Sequence, residues 1–250
     1  MRAFLEAVNI LDNPHVTALA RANQLETLAA NPSLAGTIRY DPVLSQMLLD
    51  TAQLNINAAS IRVRGLLVLA QRLPQVPETI KLGSEFARGG TSAVHEVEGR
   101  PDLLAKIGGG RLPREAQSMI ELEMMGIDTV YAATRRIEGQ TNIVVRRIDG
   151  VGSKDMIGRT NAPINPPKFP EVVTQKTIDD LERTYKILSD NKTNVPDFQF
   201  IVRRSDGAVF VNDPSNLLTR NSAPSGSIRN IIDRYKKILR DNLAKKSGGE

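Results

Sequence analysis

Apolar positions keep helical spacing in the first third of the chain and fall into short, separated clusters from residue 78 onward. Residues 1–74 read as helical. Asp41-Pro42 is a start signal, with Asp as the N-cap and Pro at the first helical position. Leu44, Met47 and Leu48 then share one face, and the pattern resumes in Ile61, Leu66, Leu67 and Leu69. Two prolines in Leu73-Pro74-Gln75-Val76-Pro77 end the helix and favour extended chain. A domain boundary is therefore expected there, with a helical segment over 1–77 and a second region over 78–250.

Beyond it, residues 79–82, 93–97 and 103–107 read as strands, and helical spacing returns over 113–125 through Ala116, Met119, Ile120 and Met124. Two further strands are expected over 129–137 and 141–148, joined across Glu138-Gly139-Gln140. Four prolines in 158–170 make that stretch a loop. Ile178, Leu181, Tyr185 and Leu188 mark an amphipathic helix over 174–190. A last helix begins near Ser227, with Ile228, Ile231, Ile232, Tyr235, Ile238 and Leu239 facing inward, and the tail after it is expected to fray.

Residues 196–216 carry the most distinctive pattern. Phe198, Phe200 and Val202 alternate with other positions, then Arg203-Arg204-Ser205-Asp206-Gly207 interrupts, and a second short apolar run follows. Asp-Gly between alternating apolar residues is a strong hairpin signal. Asp197 precedes the first strand and Asp213 follows the second, so the hairpin is expected to bring two carboxylates to one end.

Composition narrows the chemistry. Among 250 residues there is no Cys, which excludes disulfides, thiolate catalysis and Cys-ligated metals. The only histidines, His15 and His95, lie far apart and lack a supporting motif, which argues against hydrolase triads and His-bound metals. The net charge is +5, but the basic residues are scattered and aromatics make up only 4% with no Trp, so nucleic acid is not the expected partner. No apolar run is long enough to span a membrane, and the N-terminal stretch lacks the form of a Sec signal.

Three features between 87 and 116 admit a functional reading beside a structural one. Ala87-Arg88-Gly89-Gly90-Thr91-Ser92-Ala93-Val94 is either an ordinary Gly-Gly turn or a loop whose backbone N–H groups approach phosphate oxygens. Lys106, in a strand that otherwise reads as buried, either snorkels to water or meets a partner or phosphate. Glu115, opening the next helix, either complements the helix dipole or pins Lys106.

Taken together, the order of these elements resembles that of protein kinases. Ala87–Val94 resembles the Gly-rich loop, with Gly89 and Ser92 at the second and third glycine positions, and Leu104-Ala105-Lys106 is similar to the strand bearing the kinase Lys. Arg114-Glu115-Ala116, followed by Met119-Ile120, Leu122 and Gly126-Ile127, is similar to the Glu-bearing helix of the aminoglycoside phosphotransferase branch. Arg147-Ile148-Asp149-Gly150 resembles that branch's hinge. The Asp-Phe-Gln…Asp-Gly…Asp-Pro hairpin is most similar to the minimal kinase-fold effectors and toxins that bacteria deliver into other cells, among them type III effectors that phosphorylate a host heat-shock chaperone. The likeness covers about 78–220.

This resemblance implies an α+β, protein-kinase-like fold with a reduced C-terminal lobe over 78–250, preceded by the N-terminal helical segment. It implies an ATP- and Mg2+-dependent Ser/Thr kinase. Asp197 would be the catalytic base. Lys106 would hold the α/β-phosphates and Glu115 would orient it. Arg88, Gly89, Gly90, Thr91, Ser92 and Val94 would cover ATP, and Asp213 would bind the metal. Gln199 stands where kinases carry a Lys that touches the transferred phosphate, and it or Asn212 would supply a further metal contact. Val202 occupies the position of the second metal-binding Asn and cannot ligate. No His-Arg precedes Asp197, and residues 215–250 are too few for a full activation segment and helical substrate lobe, so constitutive activity is expected.

The implied partner is a protein, such as a host chaperone, met by a monomer secreted without a Sec signal and acting in the target-cell cytoplasm. Two alternatives stay open: a nucleotide-binding pseudokinase, favoured by Val202 and the absent His-Arg, and a small-molecule phosphotransferase, disfavoured by a short basic tail. Residues 1–77 are either a brace on the kinase-like domain or a segment for delivery or chaperone binding.

Overall fold

The computed structural model describes residues 40–51, 56–159, 162–214, 218–219 and 226–247. The helical reading of 1–39 lies outside them. The chain divides into two compact units, Met1–Met124 with Tyr131–Arg147, and Met125–Val130 with Ile148–Glu250.

The first unit is built on an antiparallel sheet of five strands: β1 (Leu82–Arg88), β2 (Ala93–Val97), β3 (Leu103–Ile107), β4 (Tyr131–Ile137) and β5 (Gln140–Arg146), in the order β1-β2-β3-β5-β4. Val97, Leu103, Ala105, Ala132, Ala133 and Val144 form a buried cluster with Val76, and Ile80, Leu82 and Ile107 pack against it. Helix α3 (Leu112–Met124) packs on β4 and β5 and buries Ala116, Met119, Ile120 and Leu122. The strand expected over 79–82 begins only at Leu82. β1 is an edge strand, largely exposed and with two register shifts against β2, so no burial alternation marked its true extent.

Helices α1 (Pro42–Asp50) and α2 (Ile56–Arg72) belong to the same unit and pack against α3. Asp41 caps α1 as read, accepting from Val43 and Leu44 N–H at 3.1 and 2.9 Å. It also reaches into the sheet. Tyr131 Oη donates to it at 2.5 Å, Thr134 N–H at 2.8 Å, and the Thr134 hydroxyl donates as well. Arg135, only 2% exposed, spends its donors on the carbonyls of Val76, Pro77, Tyr40 and Thr134 and so ties down the extended proline segment. α2 turns Val63, Leu66 and Leu69 inward, whereas Ile61, read as part of the apolar face, is exposed. Gly65 of α2 faces the flexible end of Met124 on α3.

In the second unit a three-stranded sheet of order β11-β10-β6 joins β6 (Gly150–Gly152), β10 (Phe200–Arg203) and β11 (Val209–Val211). A short helix, α4 (Ser153–Ile157), follows β6 without a break. The proline-rich stretch read as a loop contains two two-residue strands, β7 (Gly158–Arg159) and β8 (Ala162–Pro163), and leads into a 3-10 turn (Pro170–Val172). Helix α5 (Gln175–Asp190) starts at a Thr174 capping box. Past it lie the paired two-residue strands β9 (Thr193–Asn194) and β12 (Leu218–Thr219), and the last helix, α6 (Gly226–Ser247), packs on α5. Tyr235 of α6 packs at a tilt against Phe200, and Phe200 against Phe198, each pair of ring centroids 5.4 Å apart. The alternating hairpin side chains thus enter the core of this unit.

Candidate functional site

The first unit holds one half of the residue set. Lys106 lies in β3, between fully buried Ala105 and partly buried Ile107, and its Nζ donates to Glu115 Oε1 and Oε2 at 2.7 and 2.9 Å. Glu115 sits in the first turn of α3 and is buried. A half-buried ammonium and a buried carboxylate are tolerated because each satisfies the other. The snorkelling reading of Lys106 is thereby replaced by pairing.

Opposite Lys106, across the β2–β3 ladder, stands Val94. The Gly-rich turn leads into that strand. Gly89 N–H donates to Ser92 O at 2.8 Å, closing the turn over exposed Gly90 and Thr91. A second glycine run flanks it. Gly108 and Gly109 adopt φ of +97° and +74°, and a Cβ at Gly109 would stand 3.2 Å from Thr91 O. Close approach of these two backbones requires glycine at Gly109, a feature the sequence reading passed over. Arg88 turns back to pair with Glu85 on its own strand.

The hairpin of the second unit carries the other half. Phe200 pairs with Val211 and Val202 with Val209, and Asn212 N–H donates to Gln199 O at 3.1 Å. Asp197 and Asp213 therefore flank the same open end. The turn has four residues: Gly207 N–H donates to Arg203 O at 2.9 Å, and Arg203 N–H to Ala208 O at 2.9 Å. Gly207 takes φ +77°, and a Cβ there would fall 2.1 Å from Thr174 Oγ1, so the turn packs directly on the α5 cap. Asp206 is held by Arg203 and by Ala208 N–H, which together pull its carboxyl far below the usual range.

At the open end, Gln199 Nε2 donates to Asp197 Oδ2 at 2.5 Å, and Lys154 Nζ of α4 lies 3.5 Å from the same oxygen. Lys154 was not singled out in the sequence. Its short helix sits between glycines and carries no periodic signal. Asn212 Oδ1 is buried with no hydrogen-bond donor among the described residues. Val202 is fully buried, as its apolar side chain requires. The residues picked from sequence thus converge in two groups, Lys106 with Glu115 and the loop strand, and Asp197 with Gln199 beside Asp213.

The arrangement of a Gly-rich β-hairpin, a strand Lys bonded to a helix Glu, and an acid-flanked hairpin is matched at the sequence level. Residues 68–243 match the family described as the type III secretion system effector HopBF1 kinase domain. The chain belongs to that family. It is a kinase-fold phosphotransferase of the type III effector class, with an α+β structure and a reduced C-terminal lobe. A comparison with curated proteins gives no match. None of the helices in the described residues is long and apolar enough to cross a membrane.

Proposed function

We propose that this effector kinase transfers the γ-phosphate of ATP, with Mg2+, to a Ser or Thr hydroxyl of a target-cell protein, and that Asp197, Lys106, Glu115 and Asp213 carry the reaction. The observation that supports this most is the two-pronged Lys106–Glu115 bond, which presents a fixed cation on a strand beside a Gly-rich turn. Such a cation suits the α/β-phosphates of a nucleotide, which Arg88–Ser92 and Val94 would cover. Asp197 would orient the hydroxyl and accept its proton, Gln199 fixing one carboxylate oxygen while the other faces the substrate.

The residues near Asp213 fit Mg2+. No cluster of three His, Cys, Asp or Glu exists among the described residues. Mg2+ characteristically takes one or two carboxylates and completes its shell with phosphate oxygens and water. The Asp213 carboxylate, the carbonyl oxygen left on Gln199 and the unpartnered Asn212 Oδ1 are all hard oxygen donors. When bound, the ion would neutralise phosphate charge.

Delivery into a target cell is inherent to the effector family. We further propose action in the target-cell cytoplasm, entry without a Sec signal, a monomeric enzyme, and a chaperone as the kind of protein modified, all on the resemblance of the hairpin motif. For the N-terminal segment we propose a brace on the kinase-like domain, a reading supported where the start of helix Pro42–Asp50 and the proline segment bond to β4 through Asp41 and Arg135. The test is mass spectrometry of eukaryotic lysate incubated with the protein and Mg-ATP. New phosphate on Ser or Thr of a discrete protein supports the proposal. Phosphate on a small molecule alone would overturn it.

A further inference from the structure

We propose that Lys154 is a catalytic residue, supplying from α4 the cation that kinases carry two positions after their catalytic Asp and that Gln199 has replaced here. The proposal rests on the reading of Asp197 as the proton acceptor. Lys154 Nζ lies 3.5 Å from Asp197 Oδ2, the oxygen that Gln199 also holds. A neutral amide fixes the carboxylate without supplying charge, and Lys154 adds the charge.

The backbone that presents Lys154 is tied to the hairpin that presents Asp197. β6 pairs with β10 through Gly150↔Arg203, Val151↔Val202 and Gly152↔Ile201. A Cβ at Gly150 would lie 2.5 Å from Val202 O, so the ladder closes only over glycine. One residue before Lys154, Ser153 Oγ accepts the Phe200 N–H at 3.2 Å in a buried bond. The helix has five residues, so Lys154 sits within one turn of these anchors. The ion pair itself is exposed, with side-chain accessibilities of 38% and 54%, and pairs of this kind contribute little to stability. A solvent-accessible cation on an anchored backbone is instead placed to meet a ligand's charge.

The chemistry follows from that position. The acceptor oxygen bonds to the γ-phosphorus while the bond from that phosphorus to the bridging oxygen breaks, and its electron pair leaves on ADP. The hydroxyl proton passes to Asp197. Lys154 keeps its protons throughout. Lying beside the carboxylate that would orient the hydroxyl, its ammonium would meet the phosphoryl oxygens as their charge spreads in the transition state. It binds that charge more tightly than the ground-state nucleotide, so its effect falls on turnover.

The test uses the full chain and the initial rate of labelled-phosphate transfer from Mg-ATP into eukaryotic lysate protein, as a function of ATP concentration. Lys154→Ala, Lys154→Met, Lys154→Arg and Asp197→Asn are compared, with melting temperatures and affinity for a fluorescent ADP. Lys154→Ala and Lys154→Met are expected to lower the apparent kcat on the order of 10²-fold, with the KM for ATP and the ADP affinity unchanged. Lys154→Arg restores most of the rate. Lys154→Ala added to Asp197→Asn costs little more, since residues acting as one unit are not additive. If Lys154→Ala stays within about threefold of wild type while Asp197→Asn is inactive, Lys154 is a surface pair and the inference fails alone. Equal losses in Ala, Met and Arg with a lowered melting temperature would mean a structural role and also overturn it. Normal transfer by Asp197→Asn would remove the underlying reading of Asp197.

Discussion

Lys106 and Glu115 are joined by two hydrogen bonds, 2.7 and 2.9 Å, between a strand and the first turn of the helix that follows it. Both residues belong to one compact unit, and helices α1 and α2 pack on the back of the same helix. Arg62 reaches Glu121 of that helix at 3.2 Å. We therefore expect the pair to be in place without phosphorylation of the chain.

Lys106→Met is expected to lower phosphate transfer on the order of 10²–10³-fold. Glu115→Gln, which leaves a hydrogen bond to Lys106 but no charge, should cost about tenfold, with an increase in KM for ATP. Steady-state transfer rates at varied ATP check both. Phosphatase treatment of the wild type should leave its rate unchanged.

Asp41 gathers the N–H groups of Val43, Leu44 and Thr134 and the hydroxyls of Tyr131 and Thr134 onto one buried carboxylate. Asp41→Ala strands several buried donors at about 1–3 kcal/mol each, less what water recovers. Urea unfolding should show a loss of about 3 kcal/mol. An unchanged midpoint would mean that α1 does not brace the sheet.

Gly207→Ala should destabilise the hairpin turn, because its Cβ would overlap Thr174 Oγ1 at 2.1 Å and its φ is +77°. The cost is about 1–3 kcal/mol from the backbone conformation alone, with the overlap added. Both melting temperature and transfer rate should fall, since Asp197 and Asp213 ride on that hairpin.

The Arg203–Asp206 pair gives the hairpin a pH dependence. Arg203, with help from Ala208 N–H, depresses the Asp206 carboxyl in the folded state. Its stabilising share is then fully present above the unfolded value of about 3.9 and is lost as pH falls toward the folded value. Asp206→Asn should melt below wild type at neutral pH, and the gap should narrow in acid. A gap constant with pH would contradict the assignment.

Much of this was legible because local chemistry and fold agree. The N-cap at Asp41, the Gln175–Asp190 helix and the alternation of Phe198, Phe200 and Val202 follow from spacing that the core then uses. The legible site residues sit in such elements: Lys106 stands out as a cation in an apolar strand, and the two acids flank a marked hairpin. What escaped depends on contacts far apart in sequence. Buried Arg135 is satisfied by carbonyls near residue 77, which no local window contains. Lys154 lies in a helix too short for periodicity, and reaches Asp197 only through the β6–β10 pairing. β1 was displaced because an exposed edge strand does not need alternation.

The proposed chemistry centres on Asp197. The most direct measurement is transfer of γ-labelled phosphate from Mg-ATP into eukaryotic lysate protein by the wild type and by Asp197→Ala, at matched fluorescent-ADP affinity. A discrete labelled protein with wild type, and a loss of about 10²–10⁴-fold with Asp197→Ala, is the predicted result. Equal labelling by both proteins would contradict it.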